Sequence, residues 1–218
     1  MIDVVVKVGG SLGRSDGLRA LCSELASLGR GRALLVVPGG GAFADAVREY
    51  DDRVGLRPEA AHWAAVLGMD AYGTVLADLM AGAGTARSLE EAGTIAGSGR
   101  TAVFLPFAAL HKADPLPRDW SVTSDSIAAW VAAETGARLL VLLKDARGMA
   151  APLAGSPETP TGEVGLDVLR RWEGVDGHVA VVLQDQRTPD VWIVDGGRPE
   201  RLRELLETGR TQGVSLAR

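Results

Sequence analysis

The chain has 218 residues, 46% of them hydrophobic, with a formal net charge of -5 and a pI near 5.3. That supplies apolar material for a large core, and the acidic balance excludes a global basic field of the kind that binds nucleic acid or an anionic membrane. A single cysteine, Cys22, excludes an internal disulfide framework; with no apolar run of about 18 residues and no basic-then-apolar leader, the expectation is a soluble cytoplasmic protein.

In chain order, the β-branched run 4–8 predicts a buried strand with Lys7 inside it, broken by Gly9, Gly10 and Ser11. Residues 16–28 carry leucines at helical spacing, with Cys22 as core filler and Gly29 as a stop. The next strand, 33–37, closes on Pro38, Gly39, Gly40 and Gly41, and a helix follows from 42 to about 50. Strand, glycine loop and helix thus occur twice, which predicts a parallel α/β sheet. The segment 59–80 is helical and apolar over much of its circumference, so it is buried in the core or against a partner subunit. Residues 101–105 read as a strand and 111–120 as a proline-rich loop. A helix over 124–135, ended by Gly136, leads into a strand at 138–143. Residues 149–165 read as a flexible surface loop, 191–194 as the last strand and 198–207 as the last helix. The order predicts one α/β/α sandwich whose second half begins near residue 120.

A strand that ends in glycines ahead of a helix lets backbone N–H groups approach an anion, and the helix N-terminus adds partial positive charge. Two such loops on neighbouring parallel strands open at one sheet edge, where open α/β sheets bind ligands. Lys7 lies two residues before Gly9, near the strand's C-terminal end, where it can point its ammonium into that crevice. The chain has 20 arginines but only three lysines, Lys7, Lys112 and Lys144, so each lysine is informative. For either loop alone, a plain tight turn remains an alternative.

Other motifs fit less well. No G-x-x-x-x-G-K-[ST] occurs, and Gly39-x-Gly41-x-x-Ala44 with Glu59 is a weak match to a dinucleotide fingerprint. His62, His111 and His178 are scattered, so no zinc site is expected, and His62 beside Trp63 reads as a packed or interfacial histidine. Ser11 has no evident general-base partner. Trp130 and Trp172 read as helix packing, whereas Trp120 is a candidate for the wall of an acceptor pocket.

Taken together, "VVKVGGSL", "VVPGGGAFADAVR" and "WSVTSDSIAAWVAAETGARLLVLLKDARGM" resemble the amino acid kinase family, which includes acetylglutamate, aspartate and uridylate kinases. The short length and the ending "VDGGRPERLRELL" are most similar to the small kinases of methanofuran and methylofuran biosynthesis, which phosphorylate an aminomethylfuran-methyl phosphate. The resemblance implies a three-layer α/β/α sandwich with a mainly parallel central sheet, as a single domain. Its acceptor-binding half would span about 1–118 and its nucleotide-binding half about 119–218. It implies a small-molecule kinase acting on a phosphomonoester or carboxylate, using ATP and Mg²⁺ with the metal held mainly by the nucleotide phosphates. Lys7 would stabilise the transferred phosphoryl group and Asp125 would orient the lysines. Gly9, Gly10 and Ser11 would cradle ATP phosphates, with Lys144, Asp145 and Gly148 also on the nucleotide side. Gly39, Gly40 and Gly41, with Ser121 and Thr123, would hold the acceptor.

Two departures bear on activity. The family's Thr-Asp-x-Asp/Glu-Gly reads here Lys144-Asp145-Ala146-Arg147-Gly148, and the second phosphate-stabilising lysine of many relatives aligns near Asp185. Either Lys144 supplies the missing charge, with Arg147 or Arg187, or the protein is a weakened nucleotide-binding homologue in an assembly with an active one. A homo-oligomer, dimer or larger, is expected from the apolar helix 59–80.

Overall fold

Alternating side chains sort the strands' apolar residues onto two sheet faces. The computed structural model describes residues 1–184 and 189–217. Its strands are β1 (Val4–Val8), β2 (Leu34–Pro38), β3 (Gly84–Ala86), β4 (Ala102–Phe104), β5 (Leu139–Lys144), β6 (Gly162–Val164), β7 (Asp190–Asp195) and β8 (Val214–Leu216). The helices are α1 (Leu18–Gly29), α2 (Gly41–Val54), α3 (Pro58–Leu79), α4 (Leu89–Gly97) and α5 (Phe107–Ala113), followed by α6 (Ser124–Thr135), α7 (Ala146–Met149), α8 (Leu166–Arg171), α9 (Val179–Val182) and α10 (Pro199–Thr208).

The strands form one sheet in the order β3-β4-β2-β1-β5-β7-β8-β6, parallel except where β7 meets β8. From β1 the chain first winds outward through β2, then returns to place β5 on the other side of β1. The junction of β1 and β5 is therefore the topological switch point, where the crevice beyond the carboxyl ends of the strands receives ligands.

One face of the sheet, carrying Val4, Val6, Val8, Val141 and Leu143, packs on Leu21 and Leu25 of α1 and Leu202 and Leu205 of α10. The opposite face, carrying Val5, Leu140 and Leu142, packs on Val66 and Met69 of α3 and on Ile127, Ala128 and Val131 of α6. These are the three layers expected. Cys22 is wholly buried in the first cluster, and burial pushes its thiol up to about 11, so it behaves as a small apolar side chain. Trp172 is buried in the second cluster, and Trp130 packs against it.

Several expectations are corrected. The first glycine loop opens a 3₁₀ turn, Gly10–Arg14, and α1 begins only at Leu18. The segment 149–165 contains β6, which pairs with β8, so 191–194 lies in a strand that is not the last. The proline-rich stretch 111–120 begins inside α5. Strands of three residues are too short for an alternating pattern to stand out. Helix α4 is a further element beyond those expected: Ser88 caps it by accepting the Glu91 N–H, and Glu91 in turn accepts the Arg87 N–H at 2.7 Å. Ser88-x-x-Glu91 has the spacing of a capping box, with the return contact made to the N–H one residue before the cap. Helix α3 buries one side in the core but leaves Leu67 and Val75 exposed.

Candidate active site

The period of two decides where the lysines point. Lys7 shares a face with Val5, and Lys144 shares a face with Leu140 and Leu142, so both side chains lie on the face covered by α6. Helix α6 begins where Thr123, in extended conformation, accepts the Asp125 N–H on its hydroxyl at 3.5 Å, and it ends at Gly136 with φ of 62°. This places Asp125 in the first turn, above the ends of β1 and β5.

Asp125 sits between the two lysines. Its Oδ1 is 2.9 Å from the Lys7 ammonium and its Oδ2 is 2.5 Å from the Lys144 ammonium. The Lys7 contact is an ion pair lacking hydrogen-bond geometry, whereas Lys144 donates a hydrogen bond. All three groups are buried: Lys7 is 4%, Asp125 3% and Lys144 8% exposed. Burial alone pushes the Asp125 carboxyl up, but Lys144 and Lys7 overcome this and hold it well below the usual carboxylate range. For Lys144 burial dominates and, with Lys7 nearby, brings the ammonium down to about 8 against the opposing pull of Asp125 and Asp176. The sequence-based grouping of Lys7, Asp125 and Lys144 is thus brought together in space.

The two glycine loops meet beside this triad. A Cβ on Gly10 would fall 2.3 Å from the Gly41 nitrogen, and one on Gly39 would fall 2.5 Å from the Gly10 nitrogen. Glycine is required here for loop-on-loop packing. The Gly9 N–H donates to the Leu143 carbonyl and the Gly39 N–H to Val8, so these two donors belong to the sheet. The expected anion cradle therefore narrows to the N–H groups that start the 3₁₀ turn at Gly10 and Ser11 and those that start α2, with Gly40 as its N-cap and Gly41 at φ of 55°.

Next to Gly40 and Gly41 lies a cavity of about 140 Å³. Val66, Met69, Val122, Ile127 and Trp120 give it an apolar wall, and Asp45, Arg48, His62, Thr123 and Ser124 supply polar groups. Trp120 is locked in place, donating its indole N–H to Asp51 at 2.6 Å beneath the Arg48 guanidinium, which lies 4.3 Å from its ring. Burial holds the His62 imidazole below its ordinary pKa, favouring the neutral form. His62 is both packed edge-on against Trp63 and part of the wall. Ser121 is exposed and lies outside this lining.

A wider depression of about 580 Å³ is bordered by Leu12, Asp145, Arg147, Gly197 and Arg198. Asp145 caps α7 by accepting the Gly148 N–H at 2.8 Å, which ties two of the predicted nucleotide-side residues into one turn. Asp185 and Arg187 lie outside the described residues. Among the described residues, no group of three His, Cys, Asp or Glu side chains gathers as a metal cage, and no helix is long and apolar enough to cross a membrane.

Among the residues of this site that the sequence did not single out, two matter most: Arg48 and Asp176. Arg48 follows Gly41, Ala44 and Asp45 at helical spacing, so its placement on the cavity side of α2 was readable from the sequence. Asp176 is the other; its carboxylate binds the start of α6, and nothing in "GVDGH" beyond a turn-forming acid announces it.

A mainly parallel sheet, two abutting glycine loops and a buried lysine–aspartate–lysine triad at the switch point define a phosphate-handling α/β protein. The chain belongs to the amino acid kinase family, whose model matches residues 4–152, and it is a phosphotransferase by that membership. A curated relative, the [5-(aminomethyl)furan-3-yl]methyl phosphate kinase of Methanocaldococcus jannaschii, is 25% identical over 93% of this chain and 92% of its own length. Among solved structures, the uridylate kinase of Archaeoglobus fulgidus superposes with a TM-score of 0.76 at 16% identity, covering 99% of this chain and all of its own. The UMP kinase of Ureaplasma parvum gives 0.73 at 12% identity, with both chains covered in full.

Proposed function

We propose that this protein is an Mg-ATP-dependent kinase that transfers the γ-phosphoryl group to a small monocyclic phosphomonoester, of the [5-(aminomethyl)furan-3-yl]methyl phosphate type. The observation that carries the reading is the Asp125 carboxylate held between Lys7 and Lys144 beside the abutting glycine loops. Phosphoryl transfer asks for positioning and for positive charge on the transferring oxygens, with little covalent chemistry from the protein. Lys7 and Lys144, steered by Asp125, supply that charge, and Lys144 takes the part of the lysine that is missing further along the chain. An oxygen of the acceptor phosphate attacks the γ-phosphorus, the bond to the β–γ bridging oxygen breaks, and ADP leaves with the acceptor as its diphosphate.

Residues 1–118 provide most of the acceptor side and 119–218 the nucleotide side, on one continuous sheet. The N–H groups of Gly10 and Ser11 serve the ATP phosphates, with Asp145 and Gly148 shaping the nucleotide-side turn and Arg147 and Arg198 bordering the wider depression. Mg²⁺ would ride on the nucleotide phosphates, because the carboxylates nearest the triad, Asp125 and Asp176, are already engaged by lysines and by a helix start. A cavity of about 140 Å³ suits a single ring: an apolar cavity of about 150 Å³ accommodates benzene. Arg48 and the start of α2 suit the acceptor's phosphate, Thr123 suits a polar edge, and Asp45, whose Oδ2 pairs with Arg14 at 2.7 Å on the exposed surface, offers its other oxygen to an aminomethyl cation. That size favours the furan over a uridylate. The exposed Leu67 and Val75 on α3 support a homo-oligomer, which light scattering would detect.

The test is calorimetric titration with Mg²⁺ and a non-hydrolysable ATP analogue for wild type and Lys7→Ala, followed by turnover with the furan phosphate. Micromolar binding that is lost in a folded Lys7→Ala protein supports the reading. No binding by the wild type overturns it and leaves a non-catalytic assembly subunit as the better account.

A further inference from the structure

We infer that Asp176 is a positioning residue for the lysine–aspartate–lysine triad, gripping the first turn of α6 so that the Asp125 carboxylate is aimed between Lys7 and Lys144. The inference rests on the kinase reading of the same site and adds to it a residue outside the motifs that identified that site.

The geometry is specific. Asp176 lies in the segment between α8 and α9. Its Oδ2 accepts the Thr123 N–H at 3.1 Å, the Thr123 hydroxyl at 2.6 Å and the Ser126 N–H at 3.1 Å. Its Oδ1 accepts the Ser126 hydroxyl and, at 3.2 Å, the Val179 N–H. Thr123 and Ser126 bracket Asp125, so the carboxylate holds the helical turn on both sides of the triad's acid. The backbone N–H of Asp176 then donates to Asp125 Oδ2 at 3.4 Å, the oxygen that also meets Lys144. One residue thus fixes both the backbone that carries Asp125 and one of its oxygens.

A carboxylate that accepts this many donors at a helix N-terminus is held in one orientation and favoured by the helix dipole. Both of its oxygens are taken up by these donors, so its part is orientation and field rather than direct contact with a reacting group. Its charge adds to that of Asp125 in keeping Lys144 protonated, while Lys7 on β1 opposes it. Asp195, the register partner of Lys144 on β7, faces Arg198 and Arg201.

With only three lysines in the chain, NMR titration of lysine labelled with ¹³C at Cε reads Lys7, Lys112 and Lys144 separately. In Asp176→Asn, the Lys144 titration is expected to move to lower pH. The alkaline limb of the rate profile should move with it, and kcat should fall about tenfold or more with the acceptor and ATP KM values nearly unchanged. A merely structural role would lower the melting temperature without moving the Lys144 titration. If Asp176→Asn does not fold, Ser126→Ala carries the test: it removes one grip while leaving every charge in place, so kcat should fall with the limb unmoved. Wild-type kcat in Ser126→Ala, or an unmoved Lys144 titration in folded Asp176→Asn, overturns the inference. Failure of the kinase reading is a separate result, read from absent nucleotide binding in the wild type, and the NMR titration still decides the role of Asp176.

Discussion

Gly10→Ala tests the architecture of the site most directly. The added Cβ would lie 2.3 Å from the Gly41 nitrogen and 2.7 Å from its Cα. Both atoms are backbone, so no rotamer change relieves the clash. Restoring an ordinary contact means separating the two loops by about 1 Å. Overpacking of that kind costs about 1–3 kcal/mol, which lowers the melting temperature by several degrees in a chain of this size. The functional cost is larger, because a displacement of about 1 Å between groups that must line up for transfer lowers turnover by about 100-fold. Coupled ADP-release kinetics and thermal melting measure the two effects side by side. Gly93→Ala is the control: its Cβ meets nothing within 4 Å and it lies inside α4, so it should stabilise slightly and leave turnover alone. Wild-type turnover and melting in Gly10→Ala would refute the claim that the loops must touch.

Two further outcomes follow from the electrostatics and the cavity. Lys144 acts as a cation with its pKa brought down to about 8, so its charge is complete below about pH 7 and is lost as the pH rises through 8. The kcat/KM for ATP should therefore fall on the alkaline side with a midpoint near pH 8, and a profile flat to about pH 9.5 would count against Lys144. Arg48→Ala should raise the acceptor KM about tenfold or more with little change in the ATP KM, and it should alter Trp120 fluorescence because the stacked guanidinium is gone. Equal losses for both substrates would remove Arg48 from the acceptor pocket.

Much of the site was legible because its signals are local. Lys7 in a valine run, the Gly9-Gly10-Ser11 and Gly39-Gly40-Gly41 loops and the span of α6 each follow from short-range rules: strand period, turn residues, and a Gly stop. The elements missed were those whose signal is short or conditional. Strands β3, β6 and β8 exist only because neighbours present open edges, and no three-residue pattern encodes that. The glycine loops lie beside the triad, and loop packing makes a second demand on them. Phosphate approach and loop-on-loop packing both demand glycine, and only coordinates separate Gly39, which packs against Gly10, from Gly41, which needs its positive φ. Asp176 was illegible because its partners, Thr123 and Ser126, are some fifty positions away along the chain.

The second lysine of the triad bears on the energetics of the site. Two ammonium groups and one carboxylate, all buried, leave an excess positive charge that the protein does not neutralise within the triad. Burying unmatched charge is costly, and the depressed Lys144 pKa is where that cost appears. A triphosphate brought alongside would offset the excess, so binding and protonation must be linked. With the Lys144 ammonium brought down to about 8, binding an ATP analogue with Mg²⁺ near pH 8 should take up a fraction of a proton per site, as much as about half. The uptake should shrink toward zero near pH 6.5, where Lys144 is already charged. Calorimetry in HEPES and in Tris at both pH values measures it as a buffer-dependent enthalpy, and the dependence should vanish in Lys144→Met. A binding enthalpy at pH 8 independent of the buffer would mean that Lys144 does not face the phosphates, and the missing lysine would then have no replacement at the triad.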